Sequence, residues 1–270
     1  MNTLSFFIPI KNEVDRLAAL LPNLRSVYPN ERVILYSNGS DSAIISGLNN
    51  YSQRYNTEIF SNSGSVYLHN NAGQIFRDLI NVYNESPTDY LIRLDSDCNI
   101  YSPLTGLESY SDSIFGCVHS ASGISAYLGD KIFIKNESNN QKFFLTMPTY
   151  VNGVIGYSSG ALNQFIQNNS FDPSNDDSFY QSYCDFRSDR GFPTASGSKI
   201  SIDYVLSHVA SELNIPLLDH PQIYSVCIQN PDVRPSSYIS NILLDTTATQ
   251  SELNNSGKYS IVHPVGRYLY

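Results

Sequence analysis

The segment Leu94-Asp95-Ser96-Asp97 carries the clearest chemical signal in the sequence. It ends a short apolar run, residues 90–94, which is typical of a buried strand. Side chains two residues apart in an extended chain point the same way, so both carboxylates can converge on one cation. Paired carboxylate oxygens suit Mn2+ or Mg2+, and these ions commonly bridge phosphate oxygens. A solvated acidic turn would have the same composition, but the position directly after a buried strand favours a metal site.

The overall charge limits what such a site can bind. The chain of 270 residues has a formal net charge of −9. A surface with this balance repels nucleic acid and anionic membranes, so neither is expected as a general partner. An anionic small ligand is repelled as well, unless a metal ion or a local basic group offsets the field.

The first hundred residues alternate between strand-like and helix-like apolar patterns. The elements that these patterns predict must position the Asp-x-Asp motif. Strands are predicted at residues 4–10, 32–36, 57–60 and 90–94, and helices at residues 14–24, 43–55 and 73–83. Such alternation predicts an α/β fold with a mostly parallel sheet covered by helices on both faces. Ligands of such sheets bind beyond the carboxyl ends of the strands, where the polar clusters of this sequence fall.

The second half is less regular. Strands are predicted at residues 114–118, 131–135 and 151–157, a long mobile loop at 167–200, and a helix at 202–213. These strands are expected to form a smaller, less regular sheet. Because neither a linker nor an internal repeat interrupts the chain, we expect one domain with two halves, residues 1–100 and 101–270.

Four segments in the first half occur in an order that is characteristic of a known family. They are residues 7–13 (Phe-Ile-Pro-Ile-Lys-Asn-Glu), 33–41, 74–77 (Gln-Ile-Phe-Arg) and 95–97. In this order they resemble the opening strand, the second strand and turn, the donor-side helix and the Asp-x-Asp motif of family 2 glycosyltransferases with the A-type (GT-A) fold. Ser37 and Asn38 stand where that family often has two Asp, which leaves the identity of the base open.

The resemblance implies a donor site and a metal site. The donor site would consist of Pro9, Asn12, Glu13, Asn38, Arg77, Asp95 and Ser96, with the first three bordering the nucleoside and Arg77 near the base or diphosphate. Asp97 would bind the metal directly, and Asp95 would contact the metal or the ribose.

Two residues of the second half extend the resemblance. Asp203 resembles the helix-start Asp that serves as general base in inverting members, although an Asp there also stabilises a helix dipole. His263 resembles a late His that completes the metal site in several A-type transferases, whereas a lone His is often structural.

A rival interpretation comes from Gly156-Tyr157-Ser158-Ser159-Gly160, which fits the G-x-S-x-G elbow of α/β-hydrolases. Ser158, then Asp203 or Asp219, then His263 would follow in the chain order of a serine esterase. No His-Gly-Gly-type oxyanion loop precedes the elbow, and this interpretation leaves Asp95-x-Asp97 unexplained. A non-catalytic module that binds nucleotide sugars is the third interpretation.

The sequence therefore predicts a metal-dependent glycosyltransferase, using Mn2+ or Mg2+, that moves a sugar from a nucleoside diphosphate to a hydroxyl acceptor such as a glycan. The resemblance favours a UDP-sugar donor, an inverting outcome and a role in polysaccharide biosynthesis. A retaining outcome stays open, because Ile202 stands where the family has a Glu before Asp203 and because His263 resembles a His that retaining members also have. The four cysteines lack framework spacing and are expected to be buried thiols, and no apolar run is long enough for a membrane span, so a cytoplasmic location is expected.

Overall fold

A computed structural model describes residues 2–10, 13–38, 42–62, 72–120, 133–136, 141–144, 149–167, 206, 210, 213–225 and 259–263. Its first four strands alternate with three helices, as the sequence predicts. They are β1 (Leu4–Ile10), α1 (Leu17–Val27), β2 (Arg32–Asn38), α2 (Ser42–Tyr55), β3 (Glu58–Asn62), α3 (Ala72–Glu85) and β4 (Tyr90–Leu94). A 3-10 turn, Val14–Arg16, precedes α1.

The remaining elements belong to the second half of the chain. They are β5 (Asn99–Ile100), β6 (Ile114–Ser120), β7 (Phe133–Asn136), β8 (Gln141–Phe144), β9 (Thr149–Ser158), α4 (Ser159–Gln167), β10 (Leu217–Asp219), β11 (Ile223–Ser225) and β12 (Ile261–His263). Leu206 and Ala210, inside the predicted helix 202–213, are helical. Of the predicted loop 167–200, Gln167 ends α4 and the rest lies outside the described residues.

One seven-stranded sheet contains strands from both halves, in the order β10-β6-β9-β4-β1-β2-β3. The pairs β4–β1, β1–β2 and β2–β3 are parallel, and so is β10–β6. Only β9 runs antiparallel to its two neighbours in this sheet, β4 and β6. The expectation of a less regular sheet for residues 114–118 and 151–157 is therefore wrong, because β9 pairs with β4 and β6 pairs with β9 in the seven-stranded sheet.

Each face of this sheet has its own hydrophobic core. Phe6, Ile8 and Ile10 of β1 pack with α1 on one face, whereas Phe7 packs with α3 and α4 on the other. Alternate residues of one strand thus enter opposite cores, which explains why β1 is a nearly continuous apolar run. Full burial of such a side chain stabilises the fold by roughly 1.5–3 kcal/mol.

A smaller sheet, in the order β11-β12-β5, lies beside the carboxyl end of β4. β12 pairs parallel with β11 and antiparallel with β5, which follows β4 after a short turn. This sheet brings the late segment of the chain next to the Asp-x-Asp turn. Cys98, in that turn, is buried as expected and Cys117 is half-buried, and neither forms a disulfide.

Candidate metal centre

The Asp-x-Asp segment forms a turn that is fixed at both ends. The Asp95 backbone N–H donates to the carbonyl of Gly153 in β9 at 3.0 Å, and the Cys98 N–H donates to the Asp95 carbonyl at 3.1 Å. Within this turn the Asp97 side chain is only 3% exposed and that of Asp95 is 24% exposed. Ser96 is buried between them. Asp97 is therefore not the solvated acid of an ordinary turn.

Asp95, Asp97 and His263 meet at this point. One ligand atom from each lies within 4.8 Å of the other two. The His263 Nε2 atom is 3.3 Å from Asp95 Oδ2 and 3.3 Å from Asp97 Oδ1. The structure thus brings together the three residues that the sequence pointed to as metal ligands.

A neighbouring strand fixes the orientation of the imidazole. Ser225 of β11 is in register with His263 of β12, and the Ser225 hydroxyl lies 3.0 Å from His263 Nδ1. Both side chains are buried. When Nδ1–H donates to the Ser225 oxygen, Nε2 presents its lone pair to the space between the carboxylates. Hydrogen bonding of the second ring nitrogen is the usual way in which a metal-binding His is held.

The electrostatics of the cluster favour a positive charge at its centre. Burial by itself would lower the pKa of His263, but hydrogen bonds to Asp95 and Asp97, with their negative charges, raise it from 6.5 to about 9. A neutral Nε2 lone pair facing two carboxylate oxygens is repelled by both of them. A proton on Nε2, or a cation among the three side chains, removes that repulsion.

Two carboxylates and one imidazole nitrogen form a donor set that suits a divalent cation. Asp95, Asp97 and His263 would hold the ion. The chemistry of these donors and their convergence fit the predicted metal site.

Gly153 makes the close approach of His263 to β9 feasible. A Cβ atom at this position would lie 2.1 Å from His263 Nδ1, and the backbone has a φ of +69°, which favours glycine. The sequence analysis did not identify Gly153 or Ser225. A glycine inside a strand-like run signals a close backbone approach, so Gly153 carried a usable signal.

Two arginines that the sequence analysis also missed contact the carboxylates. Arg93 Nη2 lies 3.2 Å from Asp95 Oδ1, and Arg16 Nη1 lies 3.4 Å from Asp97 Oδ2. The Arg93 side chain is 5% exposed and that of Arg16 is 39% exposed. Each carboxylate of the pair thus has a guanidinium neighbour, one inside the protein and one open to solvent.

The other predicted donor-site residues that the structure describes lie at or just after the ends of β1 and β2, or in α3. Pro9 is buried near the carboxyl end of β1, and Glu13 follows that strand and is half-buried. Asn38 is the last residue of β2, and Arg77 belongs to α3. The ends of β1, β2 and β4 lie at one edge of the sheet because these strands are parallel. Asn12 and Asp203 lie outside the described residues.

The structure does not bring together Ser158 and His263, which the serine esterase interpretation pairs. In the β4–β9 register Ser158 pairs with Tyr90, whereas Val154 pairs with Leu94 next to the metal centre. Four residues of strand separate these positions by about 13 Å. Ser158 is fully buried, and its hydroxyl accepts the backbone N–H groups of Ser113 and Ala161 at 3.0 and 3.1 Å. Ser158 therefore joins β9 to α4 at the sheet edge opposite His263.

Asp219, one of the two alternative acids of the esterase triad, also has a structural partner. The Asp219 Oδ1 atom in β10 accepts the Val118 backbone N–H at 3.0 Å. This bond links the edge strand β10 to β6.

No family model matches the chain, and no curated protein sequence matches it. Among solved structures, the crystal structure of S. aureus TarS is similar to it, with a TM-score of 0.34 and 12% sequence identity. The similarity covers 43% of this chain and 21% of the TarS chain, so the chain spans about a fifth of the length of TarS. A TM-score this low does not establish a common fold, and the architecture described above stands on the strand pairing alone.

No helix among the described residues combines the length and the apolar character that a membrane span requires.

Proposed function

We propose that this protein is a metal-dependent glycosyltransferase of the A-type fold that uses a nucleoside diphosphate sugar as donor. The observation that carries the proposal is the convergence of Asp95, Asp97 and His263 at the carboxyl end of β4. A hard-donor site of this kind offers a divalent cation to the phosphate oxygens of a donor.

The topology of the sheet supports a nucleotide site at the same place. β1 lies between β2 on one side and β4 on the other, so the strand order reverses direction there. In open α/β sheets, ligands bind in the crevice outside the carboxyl ends of the strands at such a switch point. Asp95 directly follows β4, and Glu13 lies just beyond β1.

The proposed roles follow from this arrangement and from the resemblance to family 2 transferases. Pro9, Asn12 and Glu13 border the nucleoside, Asn38 hydrogen-bonds the base, and Arg77 and Ser96 contact the donor. Asp95, Asp97 and His263 hold the cation. When bound, the cation stabilises the negative charge of the departing diphosphate.

In the preferred inverting mechanism Asp203 removes the proton of the acceptor hydroxyl. UDP is the preferred nucleotide, because an amide at position 38 can hydrogen-bond a pyrimidine. The acceptor is a hydroxyl-bearing molecule such as a glycan.

The test is the release of nucleoside diphosphate from a panel of UDP- and GDP-sugars in the presence of Mn2+. Asp97→Asn keeps the shape of the side chain and removes its charge, so it should lower the release rate by roughly 100-fold or more. Circular dichroism should show an unchanged fold. Asp112→Asn is the matched control, since it removes an exposed carboxylate beside Gly160.

Survival of wild-type turnover in Asp97→Asn would contradict the proposal. Metal-dependent binding of the donor without turnover, with every acceptor offered, would instead favour a non-catalytic module that binds nucleotide sugars.

A further inference from the structure

The two arginines beside the metal centre differ in one respect that bears on ligand binding. Arg93 belongs to β4 and is buried, so its guanidinium is committed to the protein interior around Asp95. Arg16 contacts the nearly buried Asp97 through Nη1 but remains 39% exposed. A guanidinium has five N–H donors, so Arg16 can keep one contact with the protein and offer others to a ligand.

The backbone holds Arg16 at the edge where the ligand is expected. Arg16 is the last residue of the 3-10 turn after β1, and its N–H donates to the Glu13 carbonyl at 3.1 Å. The next residue, Leu17, begins α1 and is fully buried. The Arg16 backbone is therefore anchored between β1 and α1, whereas its side chain reaches across to the turn that follows β4.

Charge accounting shows what Arg16 can do in each state of the site. The two carboxylates and the two guanidiniums cancel, so the net charge of the site is that of the proton or metal ion held between His263 and the carboxylates. A divalent cation at Asp95 and Asp97 then gives the site a net charge of about +2, which complements a diphosphate in a chain whose overall charge is −9. The cation would also repel the Arg16 guanidinium, which contacts the same Asp97 carboxylate. This repulsion favours reorientation of the guanidinium toward an anion.

We propose that Arg16 is the counter-ion of Asp97 while the site is free of metal and becomes a phosphate-binding residue once a divalent cation is bound. This inference rests on the proposed function, because the anion is taken to be the diphosphate of the donor. Arg16 binds the β-phosphate, which joins the sugar in the donor and is terminal in the released diphosphate, and its two free oxygens can accept paired, charge-assisted hydrogen bonds from an arginine. Arg93 cannot take this role, since its side chain is buried.

The proposal predicts that the variant Arg16→Gln binds Mn2+ more tightly but binds a diphosphate more weakly. In Arg16→Gln the competing counter-ion is gone, so Mn2+ alone should bind about two- to fivefold more tightly. With Mn2+ present, UDP and inorganic pyrophosphate should bind roughly 10- to 100-fold more weakly, whereas UMP should lose much less. Arg16→Lys should recover part of the affinity, because it keeps the charge but not the paired hydrogen bonds.

Calorimetric titrations of Mn2+, and then of UDP, UMP and pyrophosphate with Mn2+ present, measure these effects. Arg54→Gln is the matched control, because Arg54 is an exposed arginine at the end of α2 and its replacement changes the net charge equally. Unchanged UDP affinity in Arg16→Gln, or an equal loss for UDP and UMP, would overturn the role of Arg16 while leaving the proposed function intact.

Pyrophosphate binding can support the role of Arg16 even if the proposed nucleotide donor is wrong. Arg16-dependent binding of pyrophosphate with Mn2+, without binding of any nucleoside diphosphate, would support the role of Arg16 and overturn the proposed donor. If wild-type protein binds neither pyrophosphate nor UDP, both proposals are wrong.

Discussion

His263 is a buried imidazole whose two ring nitrogens face different neighbours. Nδ1 contacts the Ser225 hydroxyl, and Nε2 faces the oxygens of Asp95 and Asp97. The positive charge that these carboxylates favour can be supplied by a proton on Nε2 or by a metal ion. A proton and a metal ion would therefore compete for His263 Nε2, and Nε2 should be protonated in the metal-free protein.

We predict that the metal-free protein loses stability as the pH is raised. Because the folded-state pKa of His263 is raised from 6.5 to about 9, its protonated form stabilises the fold fully below about 6.5 and this contribution is lost as the pH rises through 9. Each pH unit between the folded and unfolded pKa corresponds to about 1.4 kcal/mol, so the free energy of unfolding should fall by about 3 kcal/mol.

Urea unfolding in the presence of a chelator, at pH values below 6.5 and above 9, measures this loss. His263→Gln cannot titrate at this position and is the control, so its stability should change less over the same range. An identical pH dependence of the variant and the wild-type protein would contradict the assignment to His263.

At the residue scale, the sequence pointed to the three candidate ligands but not to the residues that contact them. Asp95 and Asp97 follow from local spacing, since the period of a strand places both carboxylates on one side. His263 followed from the family resemblance. Ser225 and Arg16 were missed because their contacts join segments that are distant in sequence, and neither residue type has a distinctive local pattern.

β9 is the element that connects the two halves of the chain at the metal centre. It pairs antiparallel with β4 and β6, and its Gly153 carbonyl accepts the Asp95 N–H. The same glycine lacks the side chain that would collide with His263. One residue of β9 thus fixes the backbone of one ligand and leaves room for another.

We predict that Gly153→Ala lowers Mn2+ affinity through displacement of His263. The added methyl group would meet the imidazole, and the positive φ adds a backbone cost of roughly 1–2 kcal/mol. Gly106→Ala is a matched control, because Gly106 has a φ of +73° and nothing within 4 Å of its Cβ position. Both variants should lose stability in thermal unfolding, but only Gly153→Ala should lose Mn2+ affinity by calorimetry. Wild-type Mn2+ affinity in Gly153→Ala would contradict this account of the site.

Strand positions were more predictable than strand pairing. The sequence located β1 and β4 to the residue, because buried parallel strands are continuous apolar runs bounded by polar turns. It missed that β6, β9 and β10 extend the same sheet. Antiparallel pairing of β9 with β4 joins segments separated by a long stretch of chain, and local periodicity does not determine such a partner.

At the scale of the whole molecule, two sheets meet at the candidate metal centre. The seven-stranded sheet supplies the Asp-x-Asp turn at its carboxyl edge, and the three-stranded sheet supplies His263 through β12. The candidate metal site needs Asp95 and Asp97 from the first half of the chain together with His263 from the second. The predicted division into residues 1–100 and 101–270 stays a prediction, and the site itself draws on both ranges.

A metal ion at this edge would reconcile the acidity of the chain with the proposed anionic donor. A net charge of −9 opposes the approach of a diphosphate, and a cation held by Asp95, Asp97 and His263, as proposed, would reverse the field locally. Binding of the nucleotide should therefore depend on the metal far more than in a basic protein.

Titration calorimetry of UDP and GDP into the protein, with and without Mn2+, tests this central claim most directly. We predict that one nucleoside diphosphate, UDP by preference, binds in the presence of Mn2+, and that binding is lost without the ion and in Asp97→Asn. Equal binding with and without Mn2+, or the absence of binding by either nucleotide in both conditions, would contradict it.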